Sequence, residues 1–138
     1  MSNAVELIER FWQLMRSNDF RSVGAVLADE FVLDWPQSNE RIRGRDNFVA
    51  MNEEYPAHGR WEFTIHRIVG NDLEGVSDVS VTDGVQKGRA ISFFATRDAK
   101  IVSIVEFWPE PFEAAENRKH LVETVDPWMF EELKAFNT

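Results

Sequence analysis

One acidic residue interrupts an apolar alternation near the end of the strand-rich region. In KIVSIVEFW, Val102, Ile104, Glu106 and Trp108 occupy alternate positions, so they share one face of a strand. With that face turned inward, the carboxyl loses hydration and its pKa rises. Such a group suits general acid or base work near neutral pH. The same burial fits a structural carboxylate satisfied by one partner, and the residues alone leave the two readings equal.

Arg89 is the natural partner. In GRAISFFAT it alternates with Ile91, Phe93 and Ala95. An inward Arg beside an inward Glu can orient a carbonyl or carboxylate, or it can close into a salt bridge that supports the sheet. The closed bridge is the favoured reading. His66, in FTIHRIV, is either a proton shuttle or a hydrogen-bonded structural residue. Trp12, Trp35 and Trp108 are candidates to line an apolar pocket, where each indole N–H also needs a partner. Trp61 reads as core packing. Asp34 falls opposite Trp35 on its strand, an outer-face carboxylate.

Other chemistries lack residues. The chain has no Cys, which removes disulfides, thiolate metal sites and a Cys nucleophile. No HExxH, paired-His or acidic-cluster spacing suggests a metal, no Gly-rich loop suggests phosphate binding, and no nucleophile elbow is present. No cofactor is expected. The net charge of −9 repels phosphate backbones, so nucleic acid is not an expected partner. No apolar run approaches the ~20 residues a spanning helix needs, so no membrane is expected either. The N-terminus lacks a signal-peptide pattern, which makes a cytoplasmic protein the default.

The elements that must position these residues are readable from periodicity. The 138 residues form one ordinary domain, rich in Phe and Trp. Val5 to Met15 has apolar residues at helical spacing, with Asn3 as a capping residue. Asp19 can cap a second helix over Phe20 to Ala28. Phe31 to Trp35 reads as a strand ended by Pro36. Gln37 to Gly44 reads as a polar loop, and a third helix runs from about Asp46 to Tyr55. Strands follow over Trp61 to Val69, Leu73 to Thr82, Gly88 to Thr96 and Ile101 to Trp108, with turns at Asn71-Asp72, Asp83-Gly84 and Asp98-Ala99. After Pro109 and Pro111, Phe112 to Val125 reads as helical. The tail from Trp128 to Phe136 is apolar enough to pack on the domain or on a partner subunit.

This order resembles the NTF2-like superfamily, with its SnoaL-like polyketide cyclases, ketosteroid isomerases and limonene epoxide hydrolases. The resemblance rests on FWQLMRSNDFRSVGAVLAD leading into EFVLDWP, on GRDNFVAMNEEY, on WPQSNERIRG and on DAKIVSIVEFW. It implies an α+β fold: a cone-shaped curved antiparallel sheet wrapped around three N-terminal helices, a cystatin-like α+β barrel, with 112–138 as a C-terminal extension. It also implies a cavity between helices and sheet, and a homodimer.

The resemblance turns Trp108, and so Glu106, toward that cavity. It also turns Ile91 inward, and with it Arg89 and Phe93. The places where ketosteroid isomerases carry a Tyr and two Asp residues fall here on Phe11, Trp35 and Ile91, none of which can do that work. A one-residue slip would restore only Asp34. Isomerase chemistry of that type is therefore not expected, while the pocket is. The expected function is a cofactor-independent enzyme of isomerase, cyclase or hydrolase type acting on a small apolar compound with a polar handle. A non-catalytic ligand-binding module and a dimeric interaction protein are the alternatives.

Overall fold

The computed structural model describes residues 3–125. Helix α1 spans Asn3–Arg16. A 3-10 helix over Phe20–Val26 follows where an α-helix is expected. Its buried residues Phe20, Val23 and Val26 recur every third position, the period of the tighter helix. Helix α2 spans Arg45–Glu54 and enters through Gly44, whose φ of 86° suits a residue without a Cβ.

Six strands form one sheet: β1 (Leu27–Trp35), β2 (Glu40–Arg43), β3 (Glu62–Gly70), β4 (Glu74–Thr82), β5 (Lys87–Arg97) and β6 (Lys100–Phe107). Their spatial order is β2-β1-β6-β5-β4-β3. The sheet is unclosed and mostly antiparallel; β1 and β6 are the one parallel pair among the described strands. Strand β2 replaces the expected polar loop. It is a short, charged edge strand, ERIR, of the kind that blunts an open sheet edge. Register shifts leave extra residues in β1, in β3 and, at Val102, in β6, bulges that help a sheet curve around its helices.

The turn between β5 and β6 is a two-residue hairpin in which both Asp98 and Ala99 have positive φ, the type I′ geometry. Past β6, only a 3-10 helix over Glu116–Leu121 appears in the stretch expected to be helical. The expected packing of the tail from Trp128 to Phe136 lies outside the described residues.

The core sits between α1 and the inner face of the sheet. Ile8, Phe11, Trp12 and Met15 point from α1 into it, and Phe31, Leu33, Val79, Phe94 and Ile104 meet them. Phe11 packs edge-on against Trp12 at 5.0 Å and Phe94 at 5.3 Å. Each such fully buried side chain contributes about 1.5–3 kcal/mol. Among the described residues no helix is long and apolar enough to cross a membrane.

Candidate functional site

A cavity of about 980 Å³ opens between the helices and the inner face of the sheet. Aromatic side chains dominate its walls: Phe11 and Trp12 from α1, Trp35 from the end of β1, Tyr55 and Trp61 flanking the loop after α2, and Trp108 just past β6. Size and lining match a small-molecule site.

Glu106 lies in this wall. It is 6% exposed, and its neighbours are fixed by register. Ser92 stands directly opposite on β5, and Ser77 stands opposite Ser92 on β4. Trp35 donates its indole N–H to Glu106 Oε1 at 3.0 Å, and Trp108 donates to the same oxygen at 3.1 Å. Ser92 Oγ lies 2.7 Å from Oε2. Farther along this polar band, Trp12 donates to Ser77 Oγ at 3.0 Å. Burial pushes the Glu106 carboxyl above its ordinary value; the bonds from Ser92, Trp35 and Trp108 favour the ionised form and only partly offset it.

The donors also decide where the proton sits. An indole nitrogen can only donate, so Oε1 must remain an acceptor in either protonation state. A proton on Glu106 therefore resides on Oε2, beside Ser92. The hydroxyl can donate to the carboxylate or accept from the acid, so it serves both states. Gly88 contributes by having no side chain. A Cβ there would lie 3.2 Å from the Trp108 ring, so glycine leaves the indole room to sit against β5.

Arg89 does not join this group. It is separated from Ser92 by three positions of unbroken register, so its side chain leaves the opposite face. It borders the cavity along its strand, but its guanidinium is committed to Asp78 at 2.5 and 3.1 Å. Asp78 also has Arg67 at 3.4 Å. Burial alone would raise the Asp78 carboxyl, but the hydrogen bonds and charge of Arg89, with His66 and Arg67 nearby, hold it below its usual value. The expected bridge exists with a different acid, on the outer face.

Ile91 and Phe93 share that outer face, contrary to the inward placement expected for them. Ile91 pairs with Asp78, and Phe93 is half exposed, edge-on to Phe107 at 6.2 Å. His66 lies 2.5 Å from Ser80 Oγ, on the same outer side, and does not border the cavity. Trp61 is not plain core: it borders the cavity and meets Tyr55 edge-on at 5.8 Å. Asp34 is held on the other side of β1 by Arg41 at 2.7 and 2.9 Å. Among the described residues no group of three or more His, Asp or Glu could hold a metal.

Asp83 does not border the cavity but braces its surroundings, a role that periodicity does not reveal. Its side chain is fully buried in the β4–β5 turn. It accepts from the backbone N–H groups of His58, Val85 and Gln86 at 2.8, 2.9 and 2.7 Å, and from Gln86 Nε2 at 2.8 Å. Desolvation opposes its charge, but these donors hold the carboxyl well below the usual range. The loop between Tyr55 and Trp61 is thereby tied to the turn at the cavity mouth.

Asp83→Ala is expected to lower stability by about 2 kcal/mol, because buried N–H groups lose their acceptor. A depressed carboxyl contributes stability above its unfolded pKa of about 4 and loses it as pH falls. Acid titration of the unfolding midpoint should therefore be flatter below about pH 4 in Asp83→Asn than in the parent.

The model for a SnoaL-like domain matches residues 8–104. No curated protein matches the chain. A solved structure from Kribbella flavida DSM 17836, provisionally named a ketosteroid isomerase, is similar with a TM-score of 0.83 and 28% identity, over 92% of this chain and 93% of that one. An NTF-2-like protein of unknown function from Burkholderia xenovorans LB400 has a TM-score of 0.72 and 27% identity, over 88% and 94%. An LEH-like epoxide hydrolase from M. tuberculosis has a TM-score of 0.63 and 21% identity, over 78% and 83%, a likeness of fold alone.

Proposed function

The chain belongs to the SnoaL-like domain family, and from that premise we propose that it is a cofactor-independent proton-transfer enzyme acting on a small, largely apolar molecule. Glu106 is the acid and base. The observation that carries this reading is a single buried carboxyl, raised above its ordinary value, in the wall of an aromatic cavity.

The proton is exchanged at Oε2, because the indoles of Trp35 and Trp108 keep Oε1 occupied. The two rings hold the carboxyl in one orientation, and Ser92 compensates whichever protonation state is present. The aromatic walls exclude water and strengthen the interaction between Glu106 and the polar group of the substrate.

The isomerase name of the Kribbella relative does not transfer by residue. Phe11 has no donor, and Asp34 is engaged by Arg41 away from the cavity. Arg89 is not part of the proposed machinery.

A second reading is favoured by the three donors on Glu106: a ligand-binding module in which the carboxyl is only an anchor. Carbon-detected NMR titration separates the two. The enzyme reading expects Glu106 to titrate clearly above the ordinary value of about 4.3. An ordinary or lower midpoint would leave a permanently ionised anchor and overturn the proposal of acid–base work.

A further inference from the structure

We propose that the cavity is selective for organic cations: its ligand is a largely apolar ammonium compound whose charged head lies among the aromatic rings beside Glu106. The inference rests on the reading of the cavity as a small-molecule site, and it names the class of molecule.

The charges around the cavity point one way. Four described residues that border it are charged at neutral pH when ionised: Lys87, Arg89, Glu106 and Glu110. Lys87 and Glu110 are exposed at the edge, and the Arg89 guanidinium is bound to Asp78 on the far face of the sheet. Among the described residues Glu106 is thus the one ionisable side chain that is buried and directed into the cavity. An anionic ligand would meet this carboxyl with no buried cation facing it. A cationic ligand would meet a partner.

The walls can supply partners for the same sign. Phe11, Trp12, Trp35, Tyr55, Trp61 and Trp108 all border the space. Aromatic faces carry negative electrostatic potential and attract ammonium groups, Trp most strongly. A quaternary or alkylated ammonium is also weakly enough hydrated to leave water for such a site. The net charge of −9 adds a long-range field that draws cations toward the protein.

Glu106 has room for such a partner. An ionised carboxyl offers about four acceptor positions, and two indoles and one hydroxyl engage three. The remaining one, on Oε2, can accept an N–H or lie against a quaternary head.

This arrangement also makes binding pH-dependent. Burial raises the Glu106 carboxyl above its ordinary value, so its protonated form persists to higher pH than that of an exposed Glu. A bound cation favours the ionised carboxyl, so binding releases that proton. Affinity for a cation therefore rises as pH rises through the Glu106 pKa. Among the described residues, the other titratable and charged groups bordering the cavity are Tyr55, Lys87 and Glu110, exposed at its edge, and Arg89, bound to Asp78 on the far face of the sheet. Asp83 and His58 brace its mouth, and Asp83 is ionised throughout this range.

The test uses phenyltrimethylammonium and its uncharged carbon isostere, tert-butylbenzene, on the full chain. Tryptophan fluorescence gives the affinities, and calorimetry in two buffers of different ionisation enthalpy counts protons. At pH 8 the cation is expected to bind at least about tenfold more tightly than the isostere. Its advantage should shrink as pH falls through the Glu106 midpoint, with proton release on binding. In Glu106→Gln the preference should collapse while the isostere still binds, which also certifies an intact cavity.

If the isostere binds the parent as well as the cation does, cation selectivity is wrong and the small-molecule reading survives. Cation affinity unchanged in Glu106→Gln would assign binding to the acidic surface and overturn the inference. If neither compound binds at millimolar concentration, both the inference and the pocket reading fall.

Discussion

Glu106→Gln is expected to lose about 10²–10⁴ of any proton-transfer rate while unfolding within about 1 kcal/mol of the parent. The reason is isosteric. Gln Oε1 can still accept from Trp35 and Trp108, and Nε2 can donate to Ser92 Oγ, so every bond of the protonated parent has a counterpart. The sign with pH follows from the raised carboxyl. The native state holds a proton that the unfolded chain gives up at about 4.3, so the parent's stability advantage is present below that pH. It is lost as pH rises through the native pKa. Glu106→Gln has no such proton and should gain on the parent as pH rises over that range. A rate loss without a stability loss assigns chemistry to Glu106. A destabilisation of about 3 kcal/mol or more, at all pH values, would identify an ionised structural anchor.

Arg89→Met is expected to do the opposite: lower stability by about 3–5 kcal/mol and leave cavity binding unchanged. Removing the guanidinium strands Asp78, a buried carboxylate left with the mostly exposed Arg67 at 3.4 Å as its ion-pair partner among the described residues. Denaturant titration reads the loss. Pairing Asp78→Leu with Arg89→Met should restore most of it, because two apolar side chains need no compensation. If Arg89→Met instead weakened ligand binding while remaining stable, the outer-face assignment would be wrong.

Arg89 and Glu106 also mark what the sequence could convey. In β6 Ile104, Glu106 and Trp108 face the cavity as their alternation implied, with Leu33 and Trp35 of β1 beside them, while the register shift at Val102 puts Ile101 in the core in its place. Strand β5 offered no such guide. In KGRAISFFATR one face carries Ala90 and Phe94 and the other Ile91 and Phe93, so hydrophobicity does not distinguish them. Placing Ile91 inward reversed every residue of the strand. It hid Ser92, the true neighbour of Glu106, and moved Arg89 to the wrong acid.

The missed elements have equally physical causes. The edge strand ERIR is short and charged, so it looks like a loop until β1 is there to pair with it. The 3-10 helix differs from an α-helix in one residue's spacing over a turn. Asp83 announced a hairpin correctly, but the buried role of its carboxylate depends on His58 arriving from 25 residues upstream.

The parallel pairing of β1 with β6 has a consequence for how the chain reaches this state. Trp35 and Glu106 lie 71 positions apart, and β1 can pair on this side only once β6, the last strand of the sheet in sequence, is present. On a growing chain the first strand must wait, unpaired on that side, until the last has left the ribosome. Closing so long a loop costs entropy before any contact compensates it, which makes this seam a late and slow event. The Trp35–Glu106 contact forms only when that seam closes, so the Trp35 indole is a built-in reporter of its closure.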